Sequence, residues 1–473
     1  MSISLALLYA PSGRKLGGML TLPCLGGYLK RQGVDVAVID APLSGYDVPT
    51  TLEKLRELDP QIIGVSIPMS QMLYQSVEFM KLIRARLPDK LLICGGVHPT
   101  LVPWDVAPYC DAVVVGEGEL TTFELVERYS RGNEWRETPG MCYVGSDGKL
   151  VYTPRREPVE DLDVIGGPDW SLIPFQRWAN VYHYSIEGEK ALPAISSRGC
   201  PFACTFCAND ALTGRRLRYR SIPSFLDEIE NNIETFGVRA FSFYDEVFTL
   251  KRERIRQFVD EVGRRNLRFR FIAQTRADCI EEEDILLLKR AGCAVLGFGL
   301  ETADPEIMEK IKKKLDLDRV RQAVAACRKH EIACGLSFML GTPWETFETL
   351  RNTFKFIDEV DPDAIGFFFF TPYQGTKIFQ DALEMGGLKY INWSDTWSEG
   401  WNNEPEYCVY QAPGLQGVYP TRIRDAAMWH YYTRRLRRLK AYLSEATLRG
   451  GIPFLARYFR AARAMKKRGL RFS

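Results

Sequence analysis

The residues best suited to chemistry are Cys200, Cys204 and Cys207, at spacing Cys-x3-Cys-x2-Cys in the run Ser197-Arg198-Gly199-Cys200-Pro201-Phe202-Ala203-Cys204-Thr205-Phe206-Cys207-Ala208-Asn209. Three thiolates on so short a loop can converge on one face of an iron–sulfur cluster. A [4Fe–4S] cluster wants four ligands and this run supplies three, which leaves one iron open for a substrate or cofactor to chelate. Taken by itself the trio also admits a blander reading, structural thiols that fall together by chance. The other nine of the 12 cysteines form no second close-spaced trio. Several sit in apolar runs and read as buried thiols. Met1 opens a short apolar run without a basic flank, which reads as a first strand and not as a signal peptide. The cysteines therefore do not suggest a disulfide framework.

A second group of chemical residues lies further on. Asp245, Glu246, Gln274, Arg276 and Glu301 each follow an apolar run that reads as a strand. Any one of them could be a structural ion-pair partner, but five at successive strand ends favour a shared cavity. The strands expected there are Ala240–Tyr244, Phe269–Gln274, Ala294–Leu300, Ala333–Leu340 and Ala364–Phe370, separated by amphipathic helices. With the strand that leads to Cys200, six βα-type strands predict an open partial barrel with its chemistry at the carboxyl ends.

The N-terminal third also alternates. Ile3–Tyr9, Val36–Asp40, Ile62–Ile67, Leu91–Cys94 and Ala112–Val115 read as strands, with helices Leu20–Gln32, Thr51–Leu58, Ser76–Leu87 and Leu120–Tyr129 between or after them. Continuous Val/Ile/Leu strands between helices predict a parallel sheet covered on both faces, a doubly wound Rossmann-like α/β domain. Its ligand loops are Ala10–Gly13, Pro68–Gln71 with Ser70, Gly95–Thr100 with Gly96 and His98, and Gly116–Glu119 with Glu117. Small residues there let backbone approach a flat ligand, a signal that many α/β domains share.

The cysteine run resembles the cluster loop of the radical S-adenosylmethionine (SAM) enzymes, and Phe206 matches the aromatic which that family places before the third cysteine. The resemblance covers most of the chain and points to the subgroup with an N-terminal cobalamin-binding domain. The Gly95–Thr100 and Gly116–Glu119 stretches look like those of that domain. One departure stands out: no Asp-x-His-x-x-Gly motif is present. A lone His98 is more often a hydrogen-bonding residue than a cobalt ligand, so the lower face of cobalt is expected to carry no histidine.

The resemblance further implies that SAM is held by Asp245 and Glu246 near its amino group, by Glu301 near the ribose or amino group, and by the segment around Gly341 near adenine. Gln374-Gly375-Thr376 resembles the sixth-strand Pro-Gly-Thr, with Gln in place of Pro. The implied cofactors are a [4Fe–4S] cluster, SAM and cobalamin. The implied chemistry is reductive cleavage of SAM to a 5′-deoxyadenosyl radical and methyl transfer to an unactivated carbon of a natural-product or lipid precursor. A radical dehydration, cyclisation or rearrangement with the same domains remains open, as does a non-catalytic sensor.

The expected organisation is a cobalamin-binding domain over 1–135, a linker over 136–190 with a hairpin at Asp147-Gly148, a radical SAM partial barrel over 191–390 and a small helical, basic region over 391–473. Trp170, Trp178, Tyr182, His183 and Tyr184 in the linker are expected to pack it against the two domains or to wall the substrate cavity. Trp393, Trp397 and Trp401 are expected to cover the substrate or to wall its cavity. A net charge of +2 over 473 residues makes no case for nucleic acid. The basic C-terminal helix, starting at Arg434-Arg435-Leu436-Arg437, reads as a solvated face or as a peripheral contact with an anionic membrane. A cytoplasmic enzyme with an external electron donor such as flavodoxin or ferredoxin is expected.

Overall fold

The computed structural model describes residues 4–12, 19–178, 185–186, 188–388 and 409–434. The first seven strands are β1 (Ser4–Tyr9), β2 (Asp35–Asp40), β3 (Ile62–Ser66), β4 (Leu91–Gly95), β5 (Ala112–Val114), β6 (Met141–Val144) and β7 (Leu150–Tyr152). They form one sheet in the order β2-β1-β3-β4-β5-β6-β7. The first five pair in parallel, with Leu7 level with Val38 on one side and Gly64 on the other. β3 is buried along its whole length and β1 from Leu5 to Tyr9, as expected where helices cover both faces of a sheet. The chain leaves β1 for β2 on one side and returns to β3 on the other. A crevice opens at the carboxyl ends of strands at such a switch point.

The hairpin expected in the linker joins this sheet instead. β6 pairs antiparallel with β5 through Val113 and Cys142, and with β7. The apolar start of the hairpin explains the difference, because Met141 and Cys142 are buried in the same core as β5. Its turn is built as the sequence suggests: Gly148 takes a φ of +76° and Asp147 Oδ1 accepts from Lys149 N at 3.1 Å.

The remaining strands are the ribbon β8 (Ser185–Ile186) and β9 (Glu189–Lys190), then β10 (Leu192–Ala194), β11 (Ser197–Arg198), β12 (Arg218–Tyr219), β13 (Ala240–Phe243), β14 (Arg270–Thr275), β15 (Cys293–Glu301), β16 (Ala333–Leu340) and β17 (Ala364–Phe369). A six-stranded sheet takes the order β10-β13-β14-β15-β16-β17. Parallel registers join β10 to β13, β13 to β14, β15 to β16 and β16 to β17. Phe243 and Phe271 of neighbouring strands stack at 4.6 Å. Phe225 and Phe258, from helices Ile222–Phe236 and Arg252–Arg264, meet Phe243 edge-on.

The chain forms two compact units, Met1–Phe202 with Ala208–Gln274 and Leu287–Ala294, and Ala203–Cys207 with Thr275–Leu286 and Val295–Ser473. The division does not fall at the linker, because linker residues bind the elements on either side of it. Asp169 N donates to Pro23 O at 2.9 Å and Arg31 Nη2 to Ile165 O at 2.5 Å, both at helix Thr21–Arg31. Asp163 Oδ1 accepts from Ser221 N at 2.9 Å, where Ser221 caps helix Ile222–Phe236. Trp170 is among the largest fully buried side chains. Tyr182, His183, Tyr184, Trp393, Trp397, Trp401 and the basic stretch 435–473 lie outside the described residues. Among the described residues no helix is long and apolar enough to cross a membrane.

Candidate active site

The cysteine loop hangs from a two-stranded ribbon. β11 and β12 pair antiparallel, Ser197 with Tyr219 and Arg198 with Arg218. The loop closes where Cys200 N donates to Gly214 O at 3.2 Å. Gly199 has a φ of +96°, and a Cβ there would lie 2.2 Å from Arg216 O, so only glycine fits beside Cys200. Further along, buried Thr205 is gripped by backbone: its N donates to Ile311 O at 3.0 Å and its O accepts from Ile378 N at 3.1 Å. Cys200 and Cys204 are half-buried and Cys207 is exposed; Phe206 is half-buried. Among the described residues no three His, Cys, Asp or Glu side chains meet at one ion. Downstream of β17, Thr376 Oγ1 donates to Tyr373 O at 2.6 Å.

Carboxyl groups stand at the strand ends. Asp245, after β13, accepts from Ser196 N at 3.2 Å, Ser196 Oγ at 2.7 Å and Ser197 Oγ at 2.5 Å. Its oxygens are thus engaged with the residues leading into the cysteine loop. Burial raises its pKa above the ordinary value. Glu246 differs. Thr213 Oγ1 donates to one oxygen at 3.3 Å, while buried Oε2 has no partner. Burial, with Asp245 beside it, pushes the carboxyl up to about 7.

In the second unit Glu301 ends β15 with a φ of +69° at a register shift between Gly299 and Glu301. A non-glycine residue in that region is strained, and strain of this kind gathers at ligand sites. Lys313 Nζ lies 3.3 Å from its carboxylate. Arg276 grips Asp278 with two bonds, at 2.9 and 2.8 Å, and donates to Lys313 O at 3.0 Å. After β16, Gly341 has a φ of +89° and its N–H donates to Glu345 Oε2. Burial pushes Glu345 up to about 8, with Asp304 adding to the rise.

The first unit carries a cavity of about 270 Å³ at the switch point. Leu7, Val65, Ile93 and Val114 form its apolar floor, and Gly95, Gly96, Gly116 and Glu117 lie along its wall. Ser66 also lines it, with a buried hydroxyl that has no partner. Ser66 is the last residue of β3, where alternation of burial gives no hint of a binding role, whereas the sequence pointed to Ser70, four residues on. Ser70 Oγ instead lies 2.9 Å from His98 Nδ1, whose Nε2 is 3.3 Å from Asp105. That pair is buried and does not line the cavity. The cavity suits a flat, largely apolar group that the Ser66 hydroxyl can reach, with glycine backbone close by. It is too small for a whole corrin ring.

Four charges stand at the cavity wall: Arg198, Glu117 and Glu119 line it, and Arg218 pairs with Glu117 behind them. Arg198 Nη2 lies 2.6 Å from Glu119 Oε1. Arg218 donates to both oxygens of Glu117, at 3.0 and 2.5 Å, and to Thr213 O at 2.9 Å. Burial alone would push Glu119 up, but Arg198 more than reverses this and holds the carboxyl below the ordinary range. Arg198, Leu212 and Thr213 line the cavity. None of the three was picked out from sequence, since their neighbours in space are remote along the chain.

The radical SAM superfamily model matches residues 194–357 and the B12 binding domain model residues 19–126. An uncharacterised methyltransferase of Pyrococcus horikoshii is 30% identical over 77% of this chain and 78% of its own. The chain belongs to the radical SAM enzymes with a cobalamin-binding domain. An anaerobic magnesium-protoporphyrin IX monomethyl ester cyclase of Rubrivivax gelatinosus is also 30% identical, over 76% of this chain and 65% of its own length. The radical SAM methyltransferase TsrM of Kitasatospora setae, solved with cobalamin and a [4Fe–4S] cluster, has the same fold. It superposes with a TM-score of 0.72 at 19% identity, over 92% of this chain and 89% of that one. The cofactor set of the family is a [4Fe–4S] cluster, SAM and cobalamin. Cys200, Cys204 and Cys207 suit the first by donor type and spacing, and the apolar, glycine-walled cavity suits part of the last.

Proposed function

We propose that the protein is a cobalamin-dependent radical SAM methyltransferase that acts on an unactivated carbon of a natural-product or lipid precursor. The observation that carries the reading is the shared wall: Arg198, Leu212 and Thr213, which flank the cysteine loop, also line the cavity of the N-terminal sheet. A scaffold that merely kept an unused domain would have no need to build the cavity from the cluster loop. The chemistry these groups supply when bound is reductive cleavage of SAM and methyl transfer at cobalt.

In this reading Cys200, Cys204 and Cys207 ligate the cluster. Glu246 and Glu301 orient SAM by its amino and hydroxyl groups, and Asp245 holds Ser196 and Ser197 so that the loop keeps its place. Gly341 brings backbone close to adenine. Ser66, Gly95, Gly96, Gly116 and Glu117 receive cobalamin, and His98 supports Ser70 without reaching the ligand. The electron comes from a low-potential carrier such as flavodoxin or ferredoxin. The protein works in the cytoplasm, with its basic C-terminal segment as a peripheral contact for an anionic membrane.

Assay with SAM labelled in its methyl group, after anaerobic loading of both cofactors, tests the reading. S-adenosylhomocysteine formed alongside 5′-deoxyadenosine, with label in the product, is expected. Deoxyadenosine without S-adenosylhomocysteine would overturn methyl transfer. It would favour the second reading, a radical cyclisation or rearrangement, to which the resemblance to a cyclase gives weight.

A further inference from the structure

The loop that carries Cys200, Cys204 and Cys207 has little core of its own. Its helix Asn209–Leu212 buries none of its residues. Its base is the ribbon of β11 and β12, where Arg198 and Arg218 face each other. Both guanidiniums are taken by glutamates that flank Gly118, at the start of helix Gly118–Ser130: Arg198 by Glu119, and Arg218 by Glu117. Glu119 and Arg198 are 79 residues apart in sequence, and both line the cavity. The far limb of the loop contributes Leu212 and Thr213 to the same cavity, and Arg218 fixes Thr213 through its carbonyl. A ligand in the cavity therefore rests on the two limbs of the cysteine loop and on the charges that anchor it.

We propose that this four-charge clamp couples the two cofactor sites, so that cobalamin in the cavity and the cluster on the loop favour each other's binding, with Arg198 and Glu119 as the positioning pair. The proposal rests on the reading of the cavity as a cobalamin site and of the cysteines as cluster ligands. Its physical basis is shared ordering. Whichever group binds first fixes the ribbon, the clamp and Thr213, so the second loses less conformational freedom on binding. Linkage requires the coupling to be the same in both directions.

The test is the affinity of the full chain for hydroxocobalamin by anaerobic equilibrium dialysis, with the cluster absent and with it reconstituted. Cluster-loaded protein is expected to bind about 5-fold or more tightly. In Glu119→Gln, which keeps the shape and removes the charge, the ratio is expected to fall to about 1. A purely structural pair would weaken both forms alike and leave the ratio unchanged; that result, or equal affinities in the unaltered protein, overturns the proposal. Should the variant not fold, the unaltered protein decides alone: cobalamin is expected to slow loss of cluster iron to a chelator, and no effect refutes the coupling. Failure of either form to bind cobalamin at all would instead sink the cofactor reading, and the coupling with it.

Discussion

At the carboxyl edge of the first sheet the groups presented are mainly glycine backbone and apolar side chains, with the unpartnered hydroxyl of Ser66 among them. At the end of β15 and after β13 and β16 they are carboxyls: Glu301, then Asp245 with Glu246, and Glu345. The first edge selects a ligand by shape, since glycines admit a flat group and little charge is offered until the rim at Glu117 and Glu119. The second offers charge whose state depends on burial, with Glu246 pushed to about 7 and Glu345 to about 8. Both edges are made by parallel strands with the same strand-to-helix rhythm, so the difference lies in which residues end the strands and not in the architecture.

The largest effect that would sharpen this contrast comes from Cys200→Ala. Iron is expected to fall from about four atoms per chain towards zero, and SAM cleavage with it, while cobalamin is still taken up at saturating concentration. Iron analysis and absorbance after gel filtration check this. Cluster retention at a normal level would break the assignment of the loop.

A middle-sized effect concerns the carboxyl edge. In the folded protein Glu345 keeps its proton up to about 8, whereas an unfolded chain loses it near pH 4.3. Between about pH 4.3 and that value the folded state binds more protons, so stability falls as pH rises through the window. In Glu345→Gln the thermal midpoint is expected to fall less between about pH 5 and pH 8 than in the unaltered protein, by a few degrees. Parallel pH profiles of the two would refute a buried, protonated Glu345.

The smallest effect belongs to the shape-selecting edge. Ser66→Ala is expected to weaken cobalamin binding roughly 2- to 10-fold. The thermal midpoint should hold or rise slightly, since an unpartnered buried hydroxyl is removed. A loss of stability with unchanged affinity would make Ser66 part of the core and not of the site.

Sequence alone determined the elements and the donor set. The apolar runs that became β1, β3 and β16, and the cysteine spacing of the loop, are local patterns, and local patterns survive without knowledge of the fold. That there are two parallel strand-and-helix regions with ligand loops at their carboxyl ends followed from the alternation of strand and helix, whereas the strand order that opens the crevice between β1 and β3 did not. Tertiary structure decided what depends on contacts between distant segments. It carried the hairpin of β6 and β7 onto the first sheet, because burying Met141 and Cys142 outweighs a place in the linker. It turned Ser70 towards His98 and left Ser66 facing the cavity, a choice of side that no periodicity records. It also paired Arg198 with Glu119 and Arg218 with Glu117. The sequence placed Glu117 and Glu119 in a ligand loop but named no partner for them, and only the closing of the chain, which takes all four charges largely out of water, makes each require its partner.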